Sequence, residues 1–531
     1  MFWRARTTSG KAICLSDQFP AVDADQVMRG RLKLAGLPSV EIGTDVDWTA
    51  NPHGNRTWAL NLHALRWMGS LVAAYERSGE SAYLHRATDL AARWIAGNPR
   101  GDAHVSEWAW AEHAIALRAP ALVCLSEHVR TRWLWDSLAE HGEVLADPAL
   151  YRQGHNHGLD QDIALLVVGC RLGRARWRDL AVRRMTTSAE LAIDAQGVLH
   201  EQAPRYGLYV HRRLGVALRA IEQSGAEQPA RLVGRRAALE AYIAHATQPD
   251  GRLVPIGDSP AGTRGFGREE AAVRVFDGGY VFGRTAWDDP RSAYYSIRFG
   301  PGRRLHGHED HLGVTYSAQG RKILVEAGFH SYEKSGYAQW TRSPGAHNVP
   351  VVDGVFRPGT ATRLVSASIE SGRQTYELAD DAYGVTRSRW VHVEHGPDLM
   401  AVHDTVPDGS TLRSLWHFDP ALTVVSRREG VVVLGDGDFR VTLLQFPGAE
   451  QGVRPGLLST GYLRTEEAVT VVSAAAPGVL TVIVPGADDP EVSVSGSTMT
   501  VHTPAGPVVF HPRVPGSKPE SVWRRSRRVP P

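Results

Sequence analysis

The chain has 531 residues, of which 43% are hydrophobic and 22% charged, with a formal net charge of +2. That length exceeds what one hydrophobic core supports, so two or more domains are expected. The near-neutral charge excludes a nucleic-acid binder that works by bulk positive charge. No apolar run reaches the roughly 18 residues a membrane-spanning helix needs.

Residues 1–56 read as a short, mixed lead-in. The start, Met1-Phe-Trp-Arg-Ala-Arg-Thr7, lacks an apolar h-region and a small-residue cleavage site. This points to a cytoplasmic protein, or to an exported one whose leader is absent from the sequence. The three cysteines, Cys14, Cys124 and Cys170, are few and odd in number. Cys124 and Cys170 fall in apolar helical stretches, so buried free thiols are expected and no disulfide framework is implied.

From Thr57 to Ala246 apolar residues recur at helical spacing: Leu60, Ala64, Met68 and Leu71, then Ile163, Leu166, Val167 and Cys170, then Val210, Leu214, Ala217 and Ile221. Ser78-Gly79, Gly97-Asn98-Pro99, Asp147-Pro148, Leu172-Gly173, Ser224-Gly225 and Pro249-Asp250-Gly251 interrupt them. The pattern predicts about eight helices in successive hairpins, an open solenoid or a curved toroid. After Asp258-Ser-Pro-Ala-Gly262 the period changes to two. Tyr295, Ile297 and Phe299 alternate, and Val314 and Tyr316 lead through Gln319-Gly320 to Ile323 and Val325 as a hairpin. Further strands are predicted near Arg363–Ile369, Trp390–Glu394, Met400–His403, Leu412–Phe418, Val431–Leu434, Phe439–Leu444 and Thr498–Val501. A β region of that size requires stacked antiparallel sheets. The expected division is thus a lead-in over 1–56, a helical toroid over 57–262, an antiparallel β-sandwich over 263–516 and a basic tail over 517–531.

The chemistry-bearing residues concentrate in Arg304-Leu-His-Gly-His-Glu-Asp-His-Leu312, followed by Val325-Glu-Ala-Gly328 and Gly345-Ala-His-Asn-Val349. On a strand, His306 and His308 would point to one face. Together with Glu326 and His347 they offer a nitrogen/oxygen metal site with one histidine to spare. Asp310 and His311 are alternative ligands.

These segments resemble the heparinase II/III-like polysaccharide lyases, related to alginate and oligoalginate lyases. The likeness rests on His306-Gly-His-Glu-Asp310, Val325-Glu-Ala-Gly328 and Arg342-Ser-Pro-Gly-Ala-His-Asn348, preceded by Asn156-His157 and Glu201-Gln-Ala-Pro-Arg-Tyr206. The ordered set spans about residues 55–350. The resemblance implies a helical toroid followed by a β-sandwich, and β-elimination on a uronate-containing acidic glycan. It implies Asn156, His157, Tyr206 and His306 as catalytic residues. It also implies a metal, Zn2+ or another divalent ion in a structural role, on His308, Glu326 and His347. Glu326 stands where the family's motif carries Asp, and its extra methylene shifts the carboxylate outward.

The reaction's difficulty is the proton at C5, beside a carboxylate that must first be neutralised; a base then takes the proton and an acid protonates the leaving O4. Asn156 suits neutralisation because an amide donates without competing for the proton, and His157 or His306 can share that task. Tyr206 suits acid and base, although a base role at an ordinary pKa of about 10 needs a positive group nearby. Tyr209, one turn on, is the alternative tyrosine. Trp108 and Trp110, with Trp58 and Trp67, are candidates to stack on sugar rings. Arg56 and Arg342 are candidate carboxylate or sulfate clamps, and Glu201 is a further substrate-binding candidate.

Taken singly, these residues have plainer readings: Asn156 or Asp160 as a helix cap, Glu201 at a helix start, the tyrosines as core aromatics. Two other functions compete. A glycoside hydrolase on an α/α toroid would need two carboxylates about 5–9.5 Å apart, with Asp160, Asp162 and Glu201 available. A non-catalytic glycan-binding or assembly protein would need none. A His-Glu-x-x-His metalloprotease helix is absent from the sequence.

Overall fold

The computed structural model describes Gly10 and residues 12–512; the basic tail expected over 517–531 lies outside the described residues. By contacts the chain forms two compact units, one of residues 1–193 and 209–237 and one of residues 194–208 and 238–531. Residues 238–262, and the short stretch 194–208, therefore group with the sheets.

The helical unit opens with α1 (Ala24–Met28) and a small hairpin of β1 (Arg31–Leu32) and β2 (Val40–Glu41). The α-hairpins follow as α2 (Arg56–His63), α3 (Gly69–Ser78), α4 (Ser81–Gly97), α5 (Glu112–His128), α6 (Arg132–Ala146), α7 (Asn156–Arg171) and α8 (Ala175–Ala192). The chain continues into α9 (Pro204–Gln223) and α10 (Ala230–Ala246). The breaks predicted from Gly, Asn and Pro end α3, α4, α6, α7 and α9. Residues 114–126 of α5 and 158–171 of α7 are buried on every face. They are the inner helices of an α/α toroid, which is why neither carries a solvent-facing polar stripe over those residues. No helix among the described residues is long and apolar enough to cross a membrane.

Inside this unit Arg118 is fully buried between aromatic rings, 3.7 Å above Trp94 and 5.3 Å from Trp110. It donates to the carbonyls of His63 and Ala109 (both 2.8 Å) and to His141 Nε2 (2.9 Å). His63 Nδ1 in turn accepts from the Trp94 indole at 3.1 Å. Both histidines must therefore be neutral acceptors. Burial, reinforced by Arg118, lowers His63 to about 4 and His141 to about 3. One cysteine expectation is corrected: Cys124 is bonded to Cys14, 110 residues away, and Cys170 is the buried free thiol. The bridge ties the lead-in to an inner helix, and closing a loop of that size stabilises by about 4–5 kcal/mol in the chain-entropy view.

The sheet unit is antiparallel throughout. A five-stranded sheet runs in sequence order through β3 (Val273–Phe276), β4 (Tyr280–Arg284), β5 (Tyr294–Arg298), β6 (Val314–Ala318) and β7 (Arg321–Leu324). A short helix, α11 (Gly336–Trp340), and β8 (Pro350–Val352) follow. Next come β9 (Arg363–Glu370), β10 (Arg373–Asp380), β11 (Arg387–Glu394), β12 (Leu399–Thr405) and β13 (Leu412–His417). Then β14 (Thr423–Arg428), β15 (Val431–Asp436), β16 (Phe439–Phe446), β17 (Gly452–Gly461), β18 (Arg464–Val472) and β19 (Gly478–Pro485). The last strands are β20 (Val492–Ser495), β21 (Thr498–Thr503) and β22 (Gly506–Phe510). An eight-stranded sheet has the order β14-β15-β16-β19-β12-β11-β10-β9; β17-β18-β13-β8 and β20-β21-β22 form smaller ones.

The eight-stranded sheet is covered on both faces. Met400, Val402, Val432, Leu434 and Leu443 share a core with Tyr295, Ile297, Val314 and Trp416. Their alternating neighbours Leu399, Ala401, Val431, Val433 and Leu444 pack instead with Met499, Val501, Val508 and Phe510. This explains why Val431–Leu434 reads as continuous apolar sequence and not as an alternation. The outer strands β9 and β14 are mostly exposed, and each pairs with its neighbour through a register shift.

Acid should weaken the helical unit. Between the ordinary histidine value of 6.5 and the lowered values of His63 and His141, the unfolded chain takes up protons that the folded chain refuses. Stability is thus present above about pH 6.5 and lost as pH falls, by about 2 kcal/mol per histidine near pH 5. Thermal midpoints recorded between neutral and mildly acidic pH check this, and His141→Gln should flatten the dependence.

Candidate active site

In the helical unit the capping residue of α7 is His155, whose Nδ1 accepts from the His157 amide at 3.0 Å; Asn156 is the first helical residue and not the cap. Asn156 is 3% exposed. His157 is held on two sides. Its Nδ1 meets Glu112 Oε1 at 3.3 Å, and its ring stacks on His113 with centroids 3.8 Å apart. The His157 hydrogen bond lowers Glu112 to about 2, a carboxylate that Arg152 also approaches at 3.4 Å. Behind this pair, the fully buried Asp160 accepts from His113 Nε2 (3.0 Å), the Tyr209 hydroxyl (2.5 Å) and Arg213 Nε (2.5 Å). Burial would raise the Asp160 carboxyl, but Arg213 and His113 hold it below the usual range. Tyr209 is thereby committed to Asp160, and burial raises its phenol.

Of the tryptophans, Trp58 and Trp67 are 1% and 0% exposed and belong to the core, so they cannot stack on a sugar. Trp110 packs against Trp94 and His141 and donates to the Asn98 carbonyl, an interior role. Trp108 is half-buried, with the Arg56 guanidinium 5.6 Å from its ring. These two form one stacked, cationic surface.

In the sheet unit the segment carrying His306 and His308 is a loop ahead of β6 and not a strand. The two imidazoles converge all the same, because one carboxylate gathers them. Asp258, 4% exposed, accepts from His306 Nδ1 (2.9 Å), His308 Nε2 (3.1 Å) and Arg342 Nη2 (3.2 Å). Burial opposes its charge, and the two imidazoles with Arg342 more than compensate, holding it below the ordinary carboxylate range. Arg342 also donates to the carbonyls of Ala338 and Ser331. It is a clamp on Asp258 and not the free sugar clamp expected.

The His306 ring lies flat on Tyr206, with centroids 3.5 Å apart and planes within 8°. Its Nε2 sits 3.6 Å from Glu201 Oε2, a carboxylate with no exposure. The Tyr206 hydroxyl contacts that of Tyr332. Burial raises the Tyr206 phenol well above its ordinary value, with Asp258 and Glu201 adding to the effect. Tyr206 is accordingly a neutral phenol across the physiological range.

His308, Glu326 and His347 are all at most 4% exposed. Glu326 contacts His347 Nδ1, and His347 Nε2 has no hydrogen-bond partner among the described residues. Two imidazoles and a carboxylate with an orphan nitrogen suit a divalent ion chemically. The donors are not drawn to one point, however, since His308 Nε2 is turned to Asp258. Of the alternative ligands, Asp310 is ion-paired with Arg298 at 3.3 Å, whereas His311 spends Nδ1 on the Thr360 carbonyl at 3.0 Å and its Nε2 has no hydrogen-bond partner among the described residues. Asn348 is structural, donating to the Val314 and Val325 carbonyls and accepting from the His417 amide.

Two family models match the chain. Residues 20–266 match the heparinase II/III N-terminus and residues 273–503 match the heparinase II/III-like C-terminal domain. The chain belongs to the heparinase II/III-like family. It is therefore an enzyme of the polysaccharide lyase class, as the motifs led us to expect. Solved structures agree on the fold. A heparinase III structure is 16% identical with a TM-score of 0.75, covering 89% of this chain and 86% of that one. A heparan sulfate lyase from Pedobacter heparinus is 15% identical with a TM-score of 0.67, covering 92% and 88%. No curated protein matches by sequence.

Asp258, Glu112, His113 and Tyr332 were not singled out from sequence. Asp258 looked like turn punctuation because its donors lie 48, 50 and 84 residues away. Its removal is informative. Asp258→Asn should cut kcat roughly 10- to 100-fold, as for other groups that orient a functional imidazole, with KM little changed. Asp258→Ala should in addition destabilise by about 3–5 kcal/mol, since it strips a buried cationic group of its counter-charge. Steady-state kinetics with denaturant melts separate the two effects.

Proposed function

We propose that this protein cleaves a uronate-containing acidic glycan, of the glycosaminoglycan type, by β-elimination. Family membership supports the reaction class, and two solved relatives carry the names heparinase III and heparan sulfate lyase. The observation that carries the proton chemistry is the flat stack of His306 on Tyr206 above a buried carboxylate.

In this reading Asn156 donates to the uronate carboxylate and His157, braced by Glu112, shares the charge. That lowers the cost of the second negative charge that develops as C5 loses its proton. His306, oriented by Asp258, takes the proton. Tyr206, which burial keeps protonated, delivers its hydrogen to the leaving O4. The product is an unsaturated uronyl sugar. Arg56 over Trp108 offers a stacking and charged contact to a neighbouring residue of the glycan.

The hydrolase alternative loses support. Asp160, Asp162 and Glu201 are all 0% exposed, and Asp162 is held by the Tyr151 hydroxyl at 2.7 Å. None is available to flank a glycosidic bond.

For the metal, we propose that His308, Glu326 and His347 would hold a divalent ion in a structural role, Zn2+ first, with binding displacing the Glu326–His347 contact. Such an ion would fix the surrounding loops by coordination. We further propose an oxidising compartment, because the Cys14–Cys124 bridge persists where thiols are not kept reduced.

Turnover on a panel of heparan-type, chondroitin-type, hyaluronan and alginate polymers should give ultraviolet absorbance from the unsaturated product. Tyr206→Phe and His157→Ala should each lower kcat by roughly 100-fold or more without changing the melt. Full activity in Tyr206→Phe would move the acid role to another residue, and saturated products would overturn the elimination. Separately, elemental analysis of the purified protein should find about one divalent ion per chain, lost together with stability in His308→Ala. Metal-free protein of unchanged stability and activity would remove the ion from the account.

A further inference from the structure

The four-stranded sheet β17-β18-β13-β8 has β13 as one of its two central strands. Along β13, Leu412, Ser414 and Trp416 are buried inward, whereas Arg413 and Leu415 are partly exposed on the opposite face. That open face is the floor of a cavity of about 580 Å3. Trp340, Phe356 and Tyr383 line it, all half-buried, together with Arg413 and Arg454. Phe356 packs on Tyr383 with centroids 5.3 Å apart, and Trp340 stacks on Tyr337 at 5.6 Å, so the rings are held in place before any ligand arrives. Arg413 spends one nitrogen on Asp353 at 2.8 Å; its side chain remains 43% exposed. Arg454 is exposed and forms no ion pair among the described residues. None of these residues belongs to the candidate active site.

We propose that this cleft is a second, non-catalytic binding site for an acidic oligosaccharide. The ligand class follows from the lining. Fixed aromatic rings offer apolar faces to pyranose rings, and guanidinium groups take carboxylate or sulfate in a fork geometry. The volume falls within the range of small-ligand sites, enough for a short stretch of a longer chain. Asp353 at the rim disfavours a densely anionic ligand beside Arg413, which places the main anionic contact at Arg454. The proposal rests on the reading of the protein as a glycan lyase. It deepens that reading: a second contact on the same polymer raises the effective concentration of substrate at the catalytic residues.

The test is the double variant Phe356→Ala/Arg454→Ala, both at the cleft and outside the catalytic set, with folding verified by its melt. Heparan sulfate polymer and a size-defined tetrasaccharide from it are the probes. We expect KM on the polymer to rise roughly ten-fold, with kcat unchanged and KM on the tetrasaccharide unchanged, and earlier elution from a heparan sulfate column. Unchanged polymer KM and retention overturn the second site and leave the lyase reading intact. Equal losses on the tetrasaccharide overturn it too, by placing these residues on the catalytic path. A wild-type protein that cleaves nothing but binds the column, with binding lost in the variant, keeps the second site and sinks the lyase reading. A shift from dimer to monomer in the variant, seen by sedimentation, assigns the face to a second copy of the chain and overturns the proposal.

Discussion

The Asp258 carboxylate accepts hydrogen bonds from two imidazoles and a guanidinium while almost wholly removed from water. A lone carboxylate in such a place would cost several kcal/mol in lost hydration; here three donors offset it, two of them aligned to the same Oδ1. The consequence is geometric as much as energetic. Asp258 fixes the plane of His306, that plane fixes the stacked Tyr206, and Tyr206 is tied at its hydroxyl to Tyr332. One buried charge thus sets the direction of every proton-carrying group in this part of the sheet unit.

The helical unit uses the same device with different residues. Asp160 gathers His113, Tyr209 and Arg213, and His113 supports His157 by stacking while Glu112 holds its Nδ1. In both units the imidazole expected to act is oriented by a carboxylate that never meets solvent directly or is only partly exposed, and by a flat ring on one face. Orientation by hydrogen bond and by stacking are independent constraints, so each ring keeps one position and one tautomer.

What the sequence disclosed follows from how local each signal is. Helices α3, α7 and α9 announced themselves through apolar recurrence and through glycine at their ends, because both signals act within a few residues. The β5 to β7 region was legible for the same reason. Strands such as β10, β14 and β17 were missed: β14 and β17 are sheet edges whose largely exposed residues carry no apolar alternation, and β10 buries the polar Gln374 and Asp380 among its apolar residues. The site divided along the same line. Asn156, His157, Tyr206 and His306 stood in recognisable segments, but Asp258, Glu112, His113 and Tyr332 owe their roles to contacts spanning 45 to 126 residues. The Cys14–Cys124 bridge, spanning 110 residues, was hidden equally well. At His306 and His308 a shared carboxylate, and not a strand's pleat, brings the imidazoles together.

The large sheet's two borders have their own implication. A sheet of eight strands with apolar cover on both faces still ends in two rows of unpaired amides and carbonyls, at β9 and β14. Such borders invite pairing with other chains. Here each border strand carries charge, Arg363 and Glu370 on one and Arg427 and Arg428 on the other, and each is kinked by an irregular register against its neighbour. A flat template for filament growth is thereby denied at both ends of the sheet.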